Sequence, residues 1–317
     1  MTTDLKRLDG ARVLVTGGAG FIGSHLVDAL LSNGARVRVL DNLATGKLEN
    51  LAHVKDRIEF QQDDIRNLEA CQRACKDVDF ILHEAALGSV PRSLEKPADS
   101  IEVNVAGTCN IFTAARDQRV KRIVYASSSS VYGTSDKLPK REGEEGMPLS
   151  PYALSKKMDE ELADIFARNF GSEIVGLRYF NVYGPRQDPK GAYAAVIPRF
   201  FAACRSGQAP IIFGDGQQSR DFTYVGDVVA ANLAALLGTG RSGQAFNVGA
   251  GRRTTVTDLA REISRVTGFG GAPDYRDPRP GDVLHSIADT SRILEAFGWR
   301  ATTDLDAGIQ LCAEHYK

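Results

Sequence analysis

Apolar positions in the first half of the chain come in short runs, each closed by a turn and followed by a stretch with helical spacing. Residues 12–15 form such a run, glycines follow at once, and residues 21–31 predict a helix. Residues 35–40, 58–61, 79–83 and 122–126 predict four further strands. Between the last two, Val105, Thr108, Ile111, Phe112 and Ala115 recur at helical spacing, which predicts a helix over 104–117. Another helix over 151–170 leads into a strand at 173–177. Strands alternating with helices imply parallel pairing through right-handed crossovers. The expected class is α/β, a Rossmann-type doubly wound parallel sheet.

Past residue 178 the pattern loosens. Glycine and proline become frequent (Gly184, Pro185, Pro198, Gly214, Gly216, Pro278, Pro280), and helices are predicted only over 227–237, 257–267 and 304–315. The expected division is a dinucleotide-binding domain over 1–178, with a returning segment near 224–250, and a smaller α+β substrate domain over 179–317. Long loops of this kind usually form binding surface.

Lys+Arg 39 against Asp+Glu 40 leave a net charge of −1. Such a balance offers no field for collecting nucleic acid or an anionic membrane, so neither is expected as a partner, and a charged ligand must be held by a local cluster. No apolar run reaches the length of a membrane span, and the start MTTDLKRLDG lacks an apolar core, which makes a cytoplasmic protein the expectation. The five cysteines (Cys71, Cys75, Cys109, Cys204, Cys312) are scattered and form no Cys/His cluster. Reduced, mostly buried thiols and no metal site are expected.

The chemistry begins at Gly17-Gly18-Ala19-Gly20-Phe21-Ile22-Gly23, between the first strand and the first helix. A phosphate reaches the backbone only where side chains are absent, and the helix start offers free N–H groups and the positive end of its dipole. Asp41 ends the next strand, eighteen residues after Gly23. Its carboxylate is placed to bond an adenosine ribose 2′-OH and would repel a 2′-phosphate, which favours NAD over NADP. Asp64 reads either as an acceptor for the adenine amino group or as a helix cap before Leu68. Ala85 and Ala86 put small residues at the carboxyl edge of the fourth strand, where the ligand crevice must lie. Arg36 and Arg38 alternate along the second strand and read as a solvated face.

Tyr152 and Lys156 are four apart, on one face of a helix. A phenol is a poor base near neutrality, and an adjacent ammonium favours its ionised form. Ser127–Ser130 leave the fifth strand at the same edge, where a hydroxyl can bridge a substrate oxygen and the phenol.

TGGAGFIG, the serine run ending in VYG, and YALSK resemble the extended short-chain dehydrogenase/reductase family. RYFNVYGP from Arg178, FGDG from Phe213, RDFTYV from Arg220 and RPGD from Arg279 resemble its nucleotide-sugar branch, so the likeness runs from about Arg12 to the end. The resemblance implies Ser128, Tyr152 and Lys156 as the catalytic trio. It implies NAD held by Gly17, Gly20, Phe21, Ile22, Gly23, Asp41, Asn42, Asp64, Ile65, Ala85, Ala86 and Tyr179, together with Tyr152 and Lys156. Asn181, Arg220 and Arg279 would hold the diphosphate and uridine of a UDP-sugar, a task that suits forked guanidinium groups. Gly88, Ser89, Ser128, Ser129, Gln187, Ala195, Val196, Asp282 and Ser286 would complete the substrate side. It further implies a homodimer through helices 104–117 and 151–170.

Within the branch, similar 4,6-dehydratases carry Asp-Glu where this chain has Ser129 and Ser130, and similar UDP-glucuronate decarboxylases carry Glu at the place of Ser130. With neither present, the resemblance implies a UDP-hexose 4-epimerase that oxidises C4 transiently and keeps its NAD. Residues 88–93 and 185–198 resemble 4-epimerases preferring N-acetylated hexosamines, and Ser286 stands where relatives limited to UDP-glucose carry a tyrosine. The expected pair is UDP-GlcNAc and UDP-GalNAc, with UDP-glucose/galactose turnover also open. UDP-glucuronate remains an alternative, with Arg92 or Arg186 pairing its carboxylate. A non-catalytic NAD-binding scaffold is the other class, against which the intact trio argues.

Overall fold

A computed structural model describes residues 3–189, 194–278 and 284–316. Its centre is a seven-stranded sheet in which all the neighbouring strands run parallel. In chain order six of these are β1 (Arg12–Thr16), β2 (Arg36–Asp41), β3 (Ile58–Gln62), β4 (Phe80–His83), β5 (Arg122–Ser128) and β6 (Ile174–Tyr179). The seventh, Gln244–Val248, comes from the second half of the chain and pairs with β6. The spatial order is β3-β2-β1-β4-β5-β6 and then Gln244–Val248, so the winding reverses between β1 and β4. A crevice outside the carboxyl ends of those two strands follows from that reversal.

β4 and β6 are buried along their whole length, as a parallel sheet covered on both faces requires. On one face α1 (Phe21–Ser32) is joined by α8 (Val225–Leu237), and Leu26, Leu30, Val228, Ala231 and Ala235 fill the layer. On the other, α2 (Leu68–Cys75), α5 (Gly107–Asp117) and α6 (Pro151–Phe170) bury Cys71, Ile111, Phe112 and Phe166 against Ile81 and Tyr125. Cys71, Cys75, Cys204 and Cys312 are buried free thiols, and Cys109 is half-buried. A third apolar cluster, with Phe200, Phe201, Ile212, Leu259, Ile263 and Ile309, joins α7 (Val196–Arg205), α9 (Val256–Thr267) and α11 (Leu305–His315). Among the described residues no helix is long and apolar enough to cross a membrane.

Several expectations change at the level of elements. The helix predicted over 104–117 starts at Pro97: α4 (Pro97–Ile101) runs through a π turn, Glu102–Ala106, into α5, because proline is favoured at a first helical position. α3 (Val90–Glu95) and α7 lie in stretches for which no helix is predicted; Ser89 caps α3 by accepting the Arg92 N–H at 3.2 Å. The cap of α2 is Asn67, whose side chain accepts from Glu69 and Ala70, so Asp64 is not a helix cap. Nor is Arg38 part of a solvated face. Its Nη1 donates to the carbonyls of Ala74 (2.7 Å) and Lys76 (2.8 Å), where it satisfies the end of α2.

Candidate active site

The glycine-rich turn is specified by contact distances. Gly17 has φ +67°, and a Cβ there would lie 2.7 Å from the Ala85 nitrogen. At Gly23 a Cβ would lie 2.2 Å from the Gly17 carbonyl oxygen. Any side chain at either place would push the turn off β4 or off its own helix. Gly20 begins α1 with no side-chain cap, which leaves the N–H groups of the first turn for an anion. Phe21 and Ile22 are half-buried in that first turn, Phe21 edge-on to His25.

Asp41 is buried at the end of β2, and its two oxygens accept the N–H groups of Ala19 (2.9 Å) and Leu43 (2.8 Å). Burial raises its pKa, and those two bonds pull it back. The carboxylate is thereby fixed against the glycine turn. Asn42 donates to Asp64 at 2.8 Å, and the Arg66 guanidinium grips Asp64 at 3.0 and 2.8 Å and holds its carboxyl down at about 2. Asp41, Asn42 and Asp64 thus come together beside the turn. Ile65 does not join them through its side chain, which is in the core with Leu14, Leu40 and Cys71. Its carbonyl accepts from Asn110 at 3.0 Å. Ala85 is brought to the turn by its N–H, which donates to Thr16 Oγ1 at 3.2 Å, and Ala86 follows on the same half-buried edge.

At the start of α6, Ser150 caps the helix by accepting from Ala153, with Pro151 at its first position. Tyr152 is half-buried there, and Lys156 one turn on is buried. The Lys156 ammonium donates to Asp159 Oδ2 at 3.2 Å; burial lowers its pKa, and Asp159 and Tyr152 overcome that, leaving it raised. Ser128 ends β5, and its Oγ accepts both the N–H (3.1 Å) and the hydroxyl (2.9 Å) of Ser130. Ser130 therefore fills the acceptor side of Ser128 and leaves the Ser128 O–H to donate. Ser129 opens the short 3-10 turn Ser129–Tyr132. Ser127 turns inward and donates to Glu160 at 2.6 Å. Glu160 is also gripped by Arg178 at 2.8 and 2.7 Å, which ties α6 to β6. Tyr179, expected beside the cofactor, spends its hydroxyl inside: it donates to Glu84 at 2.8 Å and accepts from Asn232 at 2.8 Å. Burial pushes Glu84 up to about 7.

Sequence reasoning missed the polar floor of this cluster. His83 Nδ1 lies 2.6 Å from Thr16 Oγ1 and its Nε2 2.9 Å from Thr108 Oγ1, and burial with the nearby Lys156 charge pushes it down to about 3, so it is neutral. Asn104, inside the π turn, accepts the Leu87 N–H at 2.8 Å and donates to Ser155 at 3.0 Å. π turns often mark functional sites, but nothing in the local spacing announces one.

A cavity of about 280 Å³ lies on the second-half side, and its lining includes Asn181, Gln187, Ala195, Val196, Arg220 and Phe213. Gly88, Ser89, Ser128, Ser129 and Ser286 are not in that lining. Gly88 is exposed, Ser89 caps α3, and Ser286 bonds through its N–H to the Ser219 carbonyl at 3.1 Å, beside Arg220. Gln187 donates to the Val182 carbonyl at 3.1 Å, while its Oε1 is buried without a partner among the described residues. Arg279 and Asp282 lie outside the described residues, as do residues 190–193 of the 185–198 segment. Arg186 Nη2 pairs with Asp28 on α1 at 2.7 Å, while its Nη1 is buried with no hydrogen-bond partner among the described residues.

A parallel sheet reversed at β1/β4, a glycine turn under an acid, and a tyrosine–lysine pair at one edge define a dinucleotide-dependent enzyme class. The chain belongs to the NAD dependent epimerase/dehydratase family, whose model matches residues 13–249. A UDP-glucose 4-epimerase of Mycolicibacterium smegmatis is 39% identical over 310 residues, covering 96% of this chain and 98% of that protein. The crystal structure of a Thermotoga maritima UDP-glucose 4-epimerase with UDP-glucose superposes with a TM-score of 0.91 at 39% identity, covering 96% of this chain and 98% of the other. A UDP-N-acetylglucosamine 4-epimerase of Methanobrevibacter ruminantium, in complex with UDP-N-acetylmuramic acid, gives 0.93 at 37%, covering 97% and 98%. The family's cofactor is NAD, and the turn at Gly17–Gly23, a cradle that any Cβ would fill, fits a dinucleotide.

Proposed function

We propose that this chain is a UDP-hexose 4-epimerase that interconverts UDP-GlcNAc and UDP-GalNAc in the cytoplasm as a homodimer. The observation that carries the reaction is the cluster at the edge of β5 and α6. Tyr152 takes the proton of the C4 hydroxyl, and the Lys156 ammonium is buried one turn away on the same helix. Ser128, its acceptor side filled by Ser130, donates its hydroxyl proton to the substrate oxygen. NAD, when bound, accepts hydride from C4 and returns it to the opposite face. Serines at 129 and 130 provide no acid–base pair for eliminating water, so the cycle closes without net oxidation.

Asn181 and Arg220 hold the nucleotide half of the substrate, and Gln187, Ala195 and Val196 line the same cavity. Ser286, next to Arg220, leaves room for a 2-acetamido group. The Methanobrevibacter ruminantium neighbour supports an acetylated substrate. UDP-glucose and UDP-galactose form the second reading, favoured by the Mycolicibacterium and Thermotoga relatives. Leu154, Met158 and Ile165 form an exposed apolar stripe on α6, which supports a dimer through this helix.

Product analysis with UDP-GlcNAc, UDP-GalNAc, UDP-glucose and UDP-glucuronate side by side tests the reading. The acetylated pair should equilibrate fastest, with no accumulation of free NADH. Turnover confined to UDP-glucuronate, or stoichiometric NADH, would refute it.

A further inference from the structure

Asp159 is the one carboxylate in direct contact with the Lys156 ammonium among the described residues, and neither side chain is more than 4% exposed. Its Oδ1 has no hydrogen bond of good geometry among the described residues, although the Thr108 hydroxyl of α5 approaches the same carboxylate. The anchoring of α6 does not require it, because Glu160 performs that task through Arg178 and Ser127. The remaining groups around the pair come from several elements: Glu84 and His83 from the end of β4, Thr108 from α5, Tyr125 from β5, and Tyr152 and Glu160 from α6 itself. Of these His83 is neutral, and Tyr125 is far too weak an acid to ionise near neutrality. Burial raises Asp159, and the Lys156 ammonium at 3.2 Å opposes that shift by pairing with the carboxylate.

We propose that Asp159 is a positioning residue for the epimerisation: its carboxylate holds the Lys156 ammonium and sets how much of that positive charge acts on the Tyr152 phenol. This rests on the reading of Tyr152 as the base. Lys156 stabilises the phenolate, and Asp159, directly against Lys156, offsets part of that effect. The offset keeps the phenol from ionising too readily, so that it can return a proton to the C4 oxygen in the second half of the cycle. A base whose affinity for the proton is too low would be slow in that return step.

The test is Asp159→Asn in the holoenzyme, with Asp159→Ser as a second neutral variant and Asp159→Glu as the charge-restoring one. The Tyr152 phenol is titrated by ultraviolet difference absorbance, each protein against its own Tyr152→Phe counterpart, which subtracts the other tyrosines. In the neutral variants the phenol midpoint should fall by roughly half to one pH unit, the scale of a charge acting at one remove. Asp159→Glu should bring it back towards the wild-type value. Both limbs of the kcat/KM profile should also move down, the alkaline one because Lys156 loses the partner that raises it. A midpoint that stays put while kcat falls would make Asp159 merely structural and overturn the proposal, as would failure of both neutral variants to fold. The titration needs no substrate. A wild type that epimerises no UDP-sugar would sink the functional reading and leave the electrostatic one to be decided by the phenol.

Discussion

Where the glycine-rich turn meets β4, the packing is backbone against backbone: Gly17 against Ala85, Gly23 against Gly17, Asp41 between the N–H groups of Ala19 and Leu43. Across the crevice, the cavity beside Arg220 is bounded by side chains from short strands, loops and the start of α7, and Gln187 leaves a buried oxygen without a partner among the described residues. The first region admits only glycine at positions 17 and 23, so its shape tolerates little change. The second can be retuned by single substitutions without disturbing the sheet. That difference accounts for one cofactor and many sugars across a family.

The seam between the regions should show the largest effect. Tyr152→Phe keeps the ring and both binding regions while deleting the proton carrier, so kcat should fall by about 10²–10⁴-fold with NAD and UDP binding retained. Undiminished kcat would break the assignment. On the cofactor side, Asp41→Ala removes a hydrogen-bonded carboxylate worth about 1.5–3 kcal/mol, so NAD should dissociate roughly ten- to a hundredfold more readily for every sugar alike. Reconstitution of NAD-depleted protein with NAD and NADP measures this, and wild type that accepts both equally would remove Asp41 from the role.

On the substrate side the effect should depend on the sugar. Ser286→Tyr should cost the acetylated pair about 1–3 kcal/mol of kcat/KM through overpacking while sparing UDP-glucose and UDP-galactose. Equal losses on both pairs would indicate damage to the fold, and the contrast between the regions would fail. The smallest effect concerns Glu84, which burial raises from an ordinary 4.5 to about 7. The folded state therefore holds that proton more tightly than the unfolded chain, and the stabilisation is complete below 4.5 and lost as pH rises through about 7. Glu84→Gln lacks this dependence, so the wild-type Tm should decline relative to the variant across that window. A constant gap between the two melting curves would show that Glu84 does not titrate there.

Much of the cofactor side was legible because its constraints are local. The glycine turn and the Tyr/Lys pair are each contained within a few residues, and the acid is marked by its place at the end of the very next strand. What escaped depends on distant partners. Asp159 sits in the charged run KKMDEE, which has the composition of a solvated helix face, and only Lys156, buried by the fold, makes it interior. His83 looks like the end of an apolar strand until Thr16 and Thr108 arrive from β1 and α5. α3 has its cap and its proline, yet six residues are too few to show a period. Arg186 was read as facing ligand, and the acid that claims it, Asp28, is 158 positions away.

The late arrival of the Gln244–Val248 strand and of α8 matters while the protein is being made. When a ribosome has delivered β6, the nascent sheet still has an open edge along Ile174–Tyr179, and Leu26 and Leu30 of α1 lack the helix that covers them. An unpaired strand edge is a template for pairing with another chain. The cofactor-binding half therefore cannot close until about seventy further residues have emerged, those of the substrate side among them. A chain that has emerged only as far as a point between 180 and 243 should be the species that chaperones hold, and release should coincide with the emergence of residues 244–248.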